Sequence, residues 1–165
     1  MVNRESMKFV SEQEIDSASE KLHEEGVLDQ VLSEFENEQP WLLTFMTADA
    51  GPALSADEQD HMMFLALSVW LSLDQDERKA LVPLQAQAIE EAEEKIWTLI
   101  QEGGNRSFSG LLDSFFERTT QEDLLAFVED ALQLDEDSPV TSIGREVVVV
   151  RLLVMIDLLC EDPPN

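Results

Sequence analysis

Two Glu-x-x-His pairs, Glu20 with His23 and Glu58 with His61, are the residues whose type and spacing best suit metal chemistry. On a helix, side chains three positions apart share one face, so each pair brings a carboxylate and an imidazole within reach of one ion. Helical di-metal carboxylate sites combine two such motifs with a Glu from each of two other helices. Glu34, Glu90, Glu94 and Asp157 are available as further ligands.

The composition weakens that signal. Glu fills 22 of the 165 positions, so a Glu three residues before a His arises readily by chance. Glu58 also has a local task, because Ser55-x-x-Glu58 is a capping box. His23 falls near the end of its helix, where a bundle ligand would sit mid-helix. The expectation is therefore no metal and no cofactor, with Glu20, His23, Glu58 and His61 kept as the candidate ligands.

Other chemistry finds less support. Cys160 ends an apolar segment and is followed by Glu161 and Asp162, which raise a thiol pKa. The chain has no Gly-x-Ser-x-Gly elbow, phosphate loop or dinucleotide fingerprint. Gly103-Gly104 closes a helix, whereas a phosphate cradle opens one. The cluster Glu90, Glu91, Glu93, Glu94 and the run Asp135-Glu136-Asp137 lack the order of a calcium loop and read as solvated faces. No catalytic residue is assigned, and a non-enzymatic protein is expected.

Charge is the strongest compositional feature. Against 36 Asp and Glu stand 10 Lys and Arg, a formal net charge of −26. Such a field repels phosphate backbones and anionic lipid, so direct binding to nucleic acid or a membrane is not expected. It attracts a basic protein, as an inhibitor or regulator of such a partner would. Two alternatives stand beside this: a Glu/His metal-binding bundle, and a salt-adapted protein, which the scarcity of Lys suits, whose function its charge does not reveal. A homo-oligomer is compatible with all three.

One cysteine allows no disulfide within the chain. Met1–Val10 lacks the apolar core of a secretory signal. The apolar stretches Met62–Leu73 and Val147–Cys160 fall short of the roughly 20 residues a membrane span needs. A cytoplasmic location is expected.

The elements that would position these residues are all helices. Ser11 with Glu14, Ser55 with Glu58 and Thr119 with Glu122 read as three capping boxes. Gly26 marks a stop, Pro40 fits a first helical turn, and Pro83 interrupts or restarts a helix. Leu84–Gln101 reads as helical with Ile89, Ile96, Trp97 and Ile100 inward. Asp135–Pro139 is a loop, Ser142–Cys160 the last helix, and Pro163-Pro164 closes the chain. Val147–Val150 is β-branched but runs without a turn into Leu152–Leu159, so it too reads as helix. Arg151 and Asp157, six positions apart, lie on different faces and are expected to mark strips reaching the surface. The sequence thus predicts an all-α fold of about six to eight helices in a single domain spanning residues 1–165.

The halves also match in order, as repeats of about 9–73 and 84–161. Ala18–Leu22 resembles Ala92–Ile96, and Gly26–Leu32 resembles Gly110–Phe116. Glu38 followed by Leu42–Met46 resembles Glu122 followed by Leu124–Val128, and Pro52–Ser55 resembles Pro139–Ser142. The matches align His23 with Trp97 and His61 with Val148. Each half ends in a helix apolar on nearly every side, and such helices belong at the centre of a fold. The expectation is two pseudo-symmetric halves with those helices packed together.

Overall fold

The computed structural model describes residues 7–104, 107–133 and 141–160. The Asp135–Pro139 loop, its acidic run, Pro139 of the repeat, Glu161, Asp162 and Pro163-Pro164 lie outside them. No strand occurs among the described residues, 77% of which are helical. The helices are α1 (Glu12–Leu22), α2 (Val27–Glu38), α3 (Pro40–Met46), α4 (Ala56–Ser72), α5 (Gln75–Lys79), α6 (Ala86–Glu102), α7 (Phe108–Arg118), α8 (Glu122–Ala131) and α9 (Ser142–Cys160). These nine among the described residues exceed the six to eight expected. Among the described residues no helix is long and apolar enough to cross a membrane.

Local signals set most boundaries. Ser11 and Glu14 form a reciprocal capping box at the start of α1, and Ser55 and Glu58 form one at the start of α4. Gly26 takes φ +80°, a conformation that favours glycine, and turns the chain from α1 into α2. Pro40 opens α3. The segment before Ala86 is not helical, so Pro83 restarts rather than interrupts, and α6 begins after Leu84. The third capping box does not form: Gln121 is the N-cap of α8, and Thr119 Oγ1 accepts from the Gln121 N–H at 2.9 Å instead.

The two apolar helices lie at the centre. Helices α4 and α9 pack on each other, α1 packs on α4, and α6 packs on α9. The contacts also cross, since α1 meets α8 while α3 meets α6. Buried apolar side chains from every one of these helices except α5 join one core cluster.

Two buried glutamines tie these crossings together. Gln39, just before α3, accepts from the Leu84 N–H at 2.8 Å and donates to the Val82 carbonyl at 3.2 Å. Gln121, just before α8, accepts from the Val10 N–H and donates to the Lys8 carbonyl, both at 2.9 Å. Leu84 stands two residues before α6 and Val10 two before α1. Each carboxamide thus pairs, as a backbone would, with the segment leading into a helix distant in sequence. Extended segments need such partners because they have no ladder of their own.

One carboxylate serves two helix starts. Glu58 Oε1 accepts from the Ser55 N–H at 3.1 Å, closing the α4 box. Its Oε2 accepts from the Thr141 N–H at 3.0 Å and the Thr141 hydroxyl at 3.1 Å, just before α9. Thr141 Oγ1 in turn accepts from the Gly144 N–H at 3.0 Å. Gly144 is the third residue of α9, as Glu58 is of α4. A Cβ built on Gly144 would overlap the Glu58 carboxylate, so the second box lacks its own acid and borrows Glu58. The expected match of Ser55 with Ser142 therefore shifts by one residue, to Thr141. Glu38 ends α2 while Glu122 opens α8, so those two differ in place; Gln39 and Gln121 each directly precede a helix, α3 and α8.

Arg151 departs from its expected surface strip. It is buried, and its Nη1 donates to the Met46 carbonyl at 3.1 Å at the end of α3. Its guanidinium lies 5.8 Å from the Phe45 ring centroid. An unpaired acceptor at a helix C-terminus and a cation suit each other. Asp157 is exposed as expected.

Candidate functional site: a cleft and an acidic groove

The four candidate metal ligands are not brought together. Glu20 is exposed on α1. His23 caps the end of α1 and sits with its ring 5.1 Å from that of Phe64. Glu58 is occupied by the two helix starts, and His61 Nε2 lies 3.2 Å from the Ala131 carbonyl. Among the described residues no three His, Cys, Asp or Glu side chains are grouped as a metal site. Cys160 is buried.

Glu58 is the carboxylate that the fold takes out of water; other described Asp and Glu are exposed or half-buried. Burial pushes its pKa up, but donors from Thr141 and Ser55 outweigh that and hold it below the usual glutamate value. The fold therefore keeps an ion there.

Among several surface depressions of the described residues, two combine charged groups with an apolar floor or walls. A groove of about 420 Å³ runs between α1 and α8. Glu12, Asp16, Asp123 and Asp130 stand around it, and Ile15 and Phe127 give it an apolar floor. Spacing explains the rim: Glu12 and Asp16 are one turn apart on α1, and Asp123 and Asp130 two turns apart on α8. Asp123 Oδ2 also accepts from the Glu12 N–H at 2.9 Å, joining the two helix starts. Glu129 next to the rim is pushed up in pKa by burial and by the charges of Asp130 and Asp113.

The second depression is a cleft of about 320 Å³ where α6, α7, α8 and α9 meet. Ile96 and Leu99 of α6, Phe115 of α7, Leu125 of α8, and Leu153 and Ile156 of α9 form its walls. Lys95, Arg118 and Asp157 are the charged groups lining it. The Arg118 guanidinium is 5.3 Å from the Phe115 centroid, and its Nε donates to the Ser114 carbonyl at 3.4 Å. These contacts hold the cation over an apolar wall.

The chain matches no protein-family model, no curated protein and no solved structure. Neither depression was legible from motifs, since each is assembled from helices far apart in sequence. The acidic groove had a faint signal in the one-turn repeat of acids on α1.

Proposed function

We propose that this chain is a non-enzymatic binding protein, a single domain made by duplication of a four-helix unit, that docks a basic protein partner. The observation that carries the binding role is the placement of charge. The described carboxylates lie outside, save Glu58, in a chain of net charge −26. In the α1–α8 groove four of them surround an apolar floor. Apolar contact flanked by opposite charges fits a cationic segment with apolar residues on one face, and the acidic rim speeds its encounter.

The duplication is supported by reciprocity. Gln39 and Gln121 hold the approaches to α6 and α1, the α1–α8 contact has its counterpart in α3–α6, and α1–α4 in α6–α9. Met62–Leu73 and Val147–Cys160 supply equivalent central helices.

A basic amphipathic helical peptide titrated into the protein at low salt tests the docking role. Binding is expected to weaken as NaCl rises and to be lost in an Asp16→Lys, Asp130→Lys variant. Binding indifferent to both would sink the proposal. A large salt-dependent gain in stability with no such binding would favour salt adaptation instead.

A further inference from the structure

We infer that the α6–α9 cleft binds a small monoanion with an apolar body, such as a medium-chain carboxylate, independently of any partner in the acidic groove. Three observations lead there. The cleft is apolar on its walls, and its volume suits a ligand of roughly eleven non-hydrogen atoms, at about 30 Å³ per water-sized atom. Pockets of this kind fix orientation with a few polar groups at the mouth.

The charge at the mouth runs against the molecule. Of 10 Lys and Arg in the whole chain, Lys95 and Arg118 both line this cleft. Among the described residues Asp157 is the acid that lines it beside these two cations. A basic segment, the partner suited to the groove, would meet two cations here. A carboxylate at the mouth meets donors on Lys95 and Arg118, and its chain lies on the walls.

The cleft is also not a forced consequence of the fold. At the matching turn of α4 stands Trp70, fully buried, fifteen residues after Ser55, as Ile156 stands fifteen after Thr141. Trp70 meets Phe35 edge-on at 5.1 Å, and α2 packs on α4. On that side α1 and α4 also leave a depression, of about 350 Å³, but Gln13, Glu14, Ser17 and Lys21 make its lining polar, whereas the walls beside Ile156 are apolar.

The test is calorimetric titration of the full chain with decanoate, decanol and decyltrimethylammonium, each below its aggregation concentration. One decanoate per chain is expected, held more tightly than decanol. The cationic probe should be weakest, although the overall charge of −26 favours it. Lys95→Gln and Arg118→Gln, both at exposed positions, should each weaken decanoate roughly three- to tenfold, the scale of an exposed charge-assisted hydrogen bond. Lys21→Gln, on the other half, should not. Ile156→Trp should abolish binding of decanoate and decanol alike. No saturable decanoate binding, several equivalent sites, cationic probe bound best, or affinity unmoved by Lys95→Gln and Arg118→Gln would each overturn the inference.

Discussion

On the proposed duplication, the two sides of the central helix pair correspond, yet their surroundings differ. On the α4 side, Trp70 fills its turn, Phe35 of α2 meets it edge-on, and Arg78 of α5 lies 5.4 Å from its centroid. Arg78 is itself buried, donating to the carbonyls of Trp70 at 3.0 Å and Leu71 at 3.4 Å. On the α9 side Ile156 holds the corresponding turn, α7 lacks the close packing on α9 that α2 has on α4, and the cleft remains. Both sides have a surface depression, but the one on the α4 side is lined mainly by polar groups such as Gln13, Glu14 and Ser17, while the one on the α9 side has apolar walls.

The largest expected effect breaks the closed side. Trp70→Ala should cost about 3–5 kcal/mol, since it removes a buried indole and leaves Phe35 and Arg78 facing a void. Ile156→Ala should cost only about 2 kcal/mol, the low end for such a change, because its neighbouring space is already open. Urea unfolding of both variants measures the contrast. Equal losses would mean that the two sides are packed to the same density and that the cleft is not a real difference.

The shared cap comes next. Glu58→Ala should cost about 2–3 kcal/mol by stripping acceptors from two helix starts at once. A folded pKa below the ordinary value means that the charged carboxylate stabilises the fold above the unfolded value, about 4.3, and that this contribution fades as pH falls through the lower folded value. The gap between wild type and Glu58→Ala should therefore be full at neutral pH and shrink below about pH 4. A gap that stays constant on acidification would show that Glu58 acts by packing and not by charge.

The glutamine clamps sharpen the likeness where Trp70 and Ile156 mark the contrast. Gln39→Ala and Gln121→Ala should each cost about 1–2 kcal/mol, because Leu84 N–H and Val10 N–H lose their acceptors. Hydrogen exchange should quicken at Leu84 in the first variant and at Val10 in the second. If the Gln121 variant loses stability and the Gln39 variant none, the clamps are not equivalent and the duplication loses its best support.

What could be read in advance follows from range. Capping boxes at Ser11 and Ser55, the proline at the start of α3, and the central place of two all-apolar helices depend on neighbours in sequence, and all appear. The Thr119 box fails because Gln121, two residues on, takes the cap while gripping Met7–Val10 far away in the chain. Arg151 looks like a surface residue until the end of α3 presents the Met46 carbonyl to it. The Glu-x-x-His pairs fail to converge because spacing on one helix says nothing about where a second helix sits. The cleft required knowing that α6, α7, α8 and α9 meet there, which spacing within any one helix does not reveal.

The smallest expected effect concerns the outer charges, where the two halves should behave alike. On α1, Glu12, Asp16 and Glu20 follow one another a turn apart and are exposed; on α6, Glu90 and Glu94 do the same. Like charges at this spacing each cost a few tenths of a kcal/mol at low salt. Glu90 has Glu93 and Glu94 on its face, while Asp16 has Glu12 and Glu20 and shares the groove with Asp123 and Asp130, so Asp16→Lys should stabilise slightly more than Glu90→Lys, both by under about 1 kcal/mol. The Debye length falls from about 10 Å at 0.1 M to about 3 Å at 1 M salt, so both gains should vanish as NaCl rises, while the parent protein's melting temperature climbs toward theirs. Asp16 also lines the acidic groove, and Glu90 does not, so only Asp16→Lys should weaken a basic peptide at low salt. Melts and peptide titrations across the same salt series separate the two roles of charge. A parent melting temperature that stays flat or falls with salt would show that repulsion among these carboxylates does not limit the fold, leaving the groove as the place where their charge is used.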